Sequence, residues 1–270
     1  MRNLVQINNV RKYVNSKVGE EWPVSSLFLD PLPILAIRNQ NDFNNHYTRQ
    51  DWHSTFSWAR NSNLRYALQV AIPLLIRWKA LRTRRKGVQA QLKTDLNYKA
   101  PNFLLRFQDQ ARDLEIRRLS DVKPNQRCYG DFLIAVANAV GGVSTLKKVE
   151  TPMIGSKFMH FFLPELFPVW DDAVIYKQCL KHEELLSLPD GVKEKIQTKA
   201  GESYAQYTHL LVTELSQASN TERSEVLRLC IQRCADEYDV DVNEMKVVLD
   251  FHYDDLWSTV LEICLIGKHR

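Results

Sequence analysis

Glycine is scarce in this chain, with nine in 270 residues. No segment alternates apolar and polar residues for long. Both absences weigh against a β architecture, whose strands repeat every second residue and whose tight turns draw on glycine. Long apolar runs are missing too. The longest, Tyr66 to Ile76, holds eleven residues including Gln69 and Pro73, against about 20 for a membrane-spanning helix. The first residues, MRNLVQINNVRKYV, are too polar for the apolar region of a secretion signal. There is no internal repeat and no low-complexity stretch. Nor is there a large excess of one charge, since 36 Lys and Arg face 32 Asp and Glu for a net +4. That mildly basic balance is compatible with nucleic acid without demanding it. Cysteine is present as an odd set of five: Cys128, Cys179, Cys230, Cys234 and Cys264. With no secretion signal, such a set reads as reduced thiols, and cytoplasmic residence is the expectation. Cys230 and Cys234 share an apolar helix face with Val226 and Leu227. No third and fourth ligand stand at metal-site spacing, so they read as core.

What is present is an ordinary globular composition, 44% apolar and 25% charged. The length allows one domain over 1–270 or two joined lobes, about 1–90 and 91–270. A boundary would fall near Lys86 to Ala100, where apolar periodicity lapses. Residues 4–18 read as a short amphipathic helix. Trp22 to Asn45 carries three prolines and reads as an irregular, extended wrap with at most one short strand. Tyr47 to Trp58 is dense in aromatics and reads as loop or broken helix. Asn63 to Arg85 is the strongest helix, with Leu64, Leu68, Ile72, Leu75 and Trp78 along one face and Gly87 as its C-cap. Further helices are predicted over Asn102–Leu119, Tyr129–Val140 (stopped by Gly141 and Gly142), Asp172–Leu186, Lys193–Ser216, from Thr221 to about Tyr238, and Asn243–Ile266. The fold class is all-α.

The chain is organised around Thr151–Val174, TPMIGSKFMHFFLPELFPVWDDAV. Its opening reads as a hairpin between short helices at Ser144–Val149 and Ser156–Leu163. Pro152 and Gly155 shape the turn, and the amides of Gly155, Ser156 and Lys157 are offered to a phosphate at a helix N-terminus. A return from Pro164 to Pro168 leads to Asp171 and Asp172. The helix rises about 9 Å and the return can reach roughly 23 Å, so Lys157 and Asp171 can meet.

IGSK, an apolar helix and PVWDDAV together resemble the helix-hairpin-helix DNA glycosylases over about residues 144–178. Pro152, Ile154 and Gly155 match the hairpin, Lys157 the catalytic lysine of bifunctional members, and Asp171 with Val174 the aspartate motif. The departures are Met153 for the first hairpin glycine, Trp170 before the aspartate, Ala173 where many members have His, and a short Lys-to-Asp interval. They indicate a divergent branch. The four-cysteine pattern of some members is absent, so no iron–sulfur cluster or other cofactor is expected. The resemblance implies a helical bundle with a cleft, and double-stranded DNA carrying a modified or damaged base as partner. A nucleotide is flipped into a pocket. Asp171 stabilises the cationic sugar or orients water, and Lys157 either attacks C1′ or holds a phosphate. Some divergent members excise glucosylated hydroxymethylcytosine from phage DNA, which gives an antiviral niche.

Other residues carry two readings each. Arg77 to Lys99 groups Arg77, Lys79, Arg82, Arg84, Arg85, Lys86, Lys93 and Lys99 against Asp95. They suit either a DNA backbone or a solvated helix C-terminus. Tyr47, Trp52, His53, Phe56 and Trp58 could stack on a base or fill the core. Trp52, His160 and Trp170 are the base-pocket candidates, with core packing as the rival reading. His252, Asp254 and Asp255 read as surface or capping groups. Asp171 and Asp172 also suit a plain N-cap. No metal site is expected. The alternative function is a non-catalytic helix-hairpin-helix module that grips nucleic acid, or a helical partner-binding protein.

Overall fold

A computed structural model of the chain describes residues 4–36, 63–81, 86–148, 150–183, 186–253 and 255–270. Among these residues every regular element is helical, the class that the scarcity of glycine and the absent period-two pattern predict.

Three short helices open the chain: α1 (Ile7–Val14), α2 (Lys17–Glu21) and α3 (Val24–Leu29). The segment from Trp22 is therefore not extended as far as it is described. Pro23 stands at the N-cap of α3, and the Pro31 carbonyl accepts the amides of Ile34 and Leu35 as a further helical turn begins. At a helix start no amide is missed, so these prolines open helices instead of breaking them. The rest of that expectation, and all of Tyr47–Trp58, lies outside the described residues.

Helix α4 (Asn63–Arg77) stops eight residues short of Arg85. Lys79 takes left-handed geometry at φ 59°. The Ala80 amide then donates to Leu75 O and the Lys79 amide to Ile76 O, both at 2.9 Å, which closes the last turn. Gly87 falls inside the next helix, α5 (Lys86–Tyr98). With few glycines to hand, charged residues take this strained role elsewhere too. Glu115 follows α6 (Ala100–Asp113), Lys148 follows α7 (Tyr129–Thr145) and Asp239 follows α10 (Asn220–Tyr238), all at positive φ.

The glycines do a different job. Helix α7 runs through Gly141 and Gly142 because both face neighbours at close range. A Cβ on Gly142 would stand 2.3 Å from the Phe103 ring of α6. Helix α8 (Met153–Phe162) crosses α7 at Gly155, where a Cβ would lie 2.0 Å from the Val140 carbonyl. Helix α9 (Lys199–Gln217), capped by Thr198, packs on the other side of α7. Burial on all sides suits the small, apolar sequence of α7.

After α8 the chain returns through Leu163–Asp171 into a π-helix at Asp172–Cys179 and a 3₁₀ turn at Leu180–His182. Helix α10 starts at Asn220 with a Ser219–Glu222 capping box, two residues earlier than a Thr221 cap implies. The predicted last helix is two, α11 (Val242–His252) and α12 (Trp257–Lys268). At the break the Asp255 carboxylate accepts the Ser120 and Trp257 amides at 3.2 Å each, in the turn just ahead of the new helix. One contiguous apolar core joins residues from Leu4 to Ile266. No helix among the described residues is long and apolar enough to cross a membrane.

Candidate active site

Lys157 lies on α8 one helical turn beyond its start, and its side chain is 2% exposed. Burying an ammonium is costly unless it is paired and hydrogen-bonded. Here Nζ donates to Asp171 Oδ2 at 3.0 Å and to the Trp78 carbonyl at 3.0 Å. It also lies 5.6 Å from the centre of the Trp22 ring, a cation–π contact. The Trp78 carbonyl is available because the left-handed turn at Lys79 ends α4. Lys147, from the end of α7, does the same for Ala80 at 3.0 Å. Two lysines of the hairpin thus cap the negative end of α4.

Asp171 is held at both oxygens. Oδ2 takes Lys157, while Oδ1 accepts the amides of Ala173 at 2.9 Å and Val174 at 3.1 Å, capping the π-helix. The N-cap reading and the ion-pair reading are both true of this one carboxylate. Its backbone carbonyl accepts the Tyr176 amide at 3.0 Å, five residues on. π-Helical turns are rare and recur at functional sites.

The return that delivers Asp171 is fastened along its length. Ser156 Oγ accepts the Trp170 amide at 2.9 Å. Tyr204 donates to Pro168 O at 2.7 Å and Tyr207 to Val169 O at 3.2 Å. Ser258 of α12 donates to Pro164 O, and Glu262 accepts the Val169 amide. Burial pushes the Glu262 carboxyl well above the ordinary carboxylate range, against the opposing pull of that amide and of the Lys157 charge. Glu262 is a buried strut beneath the site.

Lys157 and Asp171 line a cavity of about 520 Å³, within the roughly 300–1,000 Å³ typical of small-molecule sites. Its other walls come from the N-terminal helices, with Trp22, Ser26 and Asp30, and from the end of α4, with Arg77 and Trp78. Asp30 accepts Trp78 Nε1 at 2.7 Å and a guanidinium N–H of Arg77. The α3 wall is anchored from α10, where Glu237 accepts the Ser25 amide at 2.7 Å and the Val24 amide at 3.3 Å. Tyr253 donates to Phe28 O.

Of the residues singled out in the sequence, Lys157 and Asp171 therefore come together. The hairpin residues do not join them. Because α8 begins at Met153, Ile154, Gly155 and Ser156 are buried against α7, and the Ser156 amide bonds Pro152 O at 2.8 Å. Gly155 serves close helix packing, so these three residues offer no surface to a phosphate. His160 is 1% exposed in the core. Its Nδ1 is 2.7 Å from Phe167 O and its ring is 5.8 Å from Trp78; burial lowers it to about 4, leaving it neutral. Trp170 is 4% exposed, with its indole N–H on Asp172 at 2.8 Å and its ring stacked 5.8 Å from Tyr176. Neither His160 nor Trp170 lines the cavity. Arg82, Arg84, Arg85 and Trp52 lie outside the described residues, and Lys86 opens α5. The sequence reading missed Trp22 and Asp30 and assigned Trp78 to an apolar helix face. Only the proximity of Trp78 to the basic run hinted at more.

Among the described residues no three His, Cys, Asp or Glu side chains cluster as metal ligands. Comparison with family models, curated proteins and solved structures finds no match to this chain.

Proposed function

We propose that this chain is a DNA glycosylase of the helix-hairpin-helix type, which flips a modified or damaged base from the duplex and cleaves its N-glycosidic bond. The observation that supports this best is the Lys157–Asp171 pair, 3.0 Å apart on the wall of a cavity of about 520 Å³ flanked by two tryptophans. Asp171 carries the chemistry. Its carboxylate faces positive charge developing at the sugar C1′, or orients the attacking water. Lys157 acts by charge. Its ammonium is directed at a carboxylate, a carbonyl and an aromatic face, so it holds Asp171 in place and does not attack C1′ itself. Excision then leaves an abasic site in an unbroken strand. The alternative, a module that grips DNA through the hairpin without chemistry, has less support because Ile154, Gly155 and Ser156 are buried.

The test is a base-release screen. Duplexes carrying single lesions or phage modifications, glucosylated hydroxymethylcytosine among them, are incubated with the protein and treated with alkali. Strand breaks are expected with one substrate class and are lost in Asp171→Asn. Breaks that persist undiminished in that variant would overturn the assignment. Borohydride should trap no covalent adduct while excision proceeds; a trapped adduct would give Lys157 the nucleophile's role.

A further inference from the structure

From the packing of the cavity walls we infer that Trp22 and Trp78 form a stacking slot for an uncharged, planar heteroaromatic ring. The inference deepens the reading above and rests on it for identifying that ring as a nucleobase.

Both tryptophans line the cavity, and both are half-buried. Both are also held. The Trp22 carbonyl accepts the Tyr13 hydroxyl at 2.5 Å, and its amide bonds Val18 O at 2.7 Å. Trp78 is fixed at its carbonyl by Lys157 and at its indole N–H by Asp30. Its ring is backed by Phe161, with centroids 4.7 Å apart. A ring ordered before binding loses little entropy when a ligand stacks on it, and base–aromatic stacking tolerates many bases because each has a π-face.

Charge decides what kind of ring fits. Of the ionic groups on the wall, Lys157 is matched by Asp171 and Arg77 by Asp30. The remaining two, Glu21 and Lys79, are opposite in sign. Among the described residues the wall thus has no surplus charge to match a charged ligand. The slot therefore favours neutral rings over alkylated, cationic ones.

Tryptophan fluorescence of the intact protein, titrated with nucleosides, tests this without requiring activity. Cytidine and 5-hydroxymethylcytidine should quench saturably, while ribose does not and cationic 7-methylguanosine binds more weakly. Trp22→Leu should weaken binding roughly tenfold or more, and Trp22→Phe, which keeps a ring, should retain most of it. A thermal melt of each variant confirms folding. Quenching by ribose as strong as by cytidine, equal binding of the cationic nucleoside, or unchanged affinity in a folded Trp22→Leu would overturn the slot. The two readings fail separately. Nucleoside binding without base release would remove the glycosylase assignment alone. Base release by a protein that no nucleoside quenches would remove the slot alone.

Discussion

Lys157 reaches across the bundle to the Trp78 carbonyl, 79 residues earlier in the chain, at 3.0 Å. This one contact joins the end of α4 to the helix that faces Asp171, so the ammonium is a packing element as well as an electrostatic one. Replacing one member of a buried pair strands the other, at a cost of about 3–5 kcal/mol. Lys157→Met should therefore be strongly destabilising. Asp171→Asn should be destabilising too: Asn can keep the cap, but its amide nitrogen then faces the buried Lys157 ammonium, which has lost its carboxylate. In urea melts the double variant should fall short of the summed single costs by about 1 kcal/mol or more. Additive costs would mean that the pair is not energetically coupled.

Gly155→Ala probes the crossing of α7 and α8. The new methyl would sit 2.0 Å from the Val140 carbonyl, and neither backbone can yield without moving its helix. The expected loss is about 3 kcal/mol or more. An Ala variant that melts with the wild type would show that the two helices do not cross there.

Glu115→Gly should do the opposite. Glu115 is exposed at φ 55° just past the end of α6, where a side chain costs roughly 1–2 kcal/mol. Glycine removes that cost but adds freedom to the unfolded chain. The net expectation is a gain of about 0.5–1 kcal/mol, read as a higher melting temperature. A lower one would argue against the left-handed turn.

His160 makes stability depend on pH. In the fold its pKa is lowered from 6.5 to about 4 by burial, so the unfolded chain takes up a proton that the folded one refuses. Stability from this group is fully present above about pH 6.5 and is lost as pH falls through that window toward 4. The total loss is about 3 kcal/mol by linkage. His160→Gln, which keeps a donor for Phe167 O and cannot titrate, should lose less stability than the wild type between pH 7 and 4. Parallel pH profiles for the two proteins would contradict a buried, neutral imidazole.

How much of this was readable beforehand differs from residue to residue. That Lys157 and Asp171 can meet was legible from the lengths of the helix and the return; that they do meet was not, because a return reaching roughly 23 Å also lets them part. The all-helical class was legible from periodicity. Glycine misled in both directions: at Gly141, Gly142 and Gly155 it was read as a stop or a turn, where it admits a neighbouring helix. Conversely, α4 ends on a lysine whose left-handed backbone leaves no mark in the sequence. Proline misled at Pro23 and Pro31, since the residue that breaks a helix interior also suits its first turn. The aromatic wall was barely legible. Trp22 and Trp78 lie far from Lys157 in the chain, and only tertiary packing brings their rings to it.

The anchoring of α3 has a consequence for how the protein is made. The wall carrying Ser26 and Asp30 is synthesised well before its fastenings, Glu237 and Tyr253, which lie more than 200 residues later in the chain. On the ribosome, α3 must wait for most of the polypeptide before its docking partner exists. The cleft accordingly closes only late in biogenesis, and a nascent chain arrested before α10 has emerged would carry Lys157 and Asp171 with one side of their chamber still unsecured.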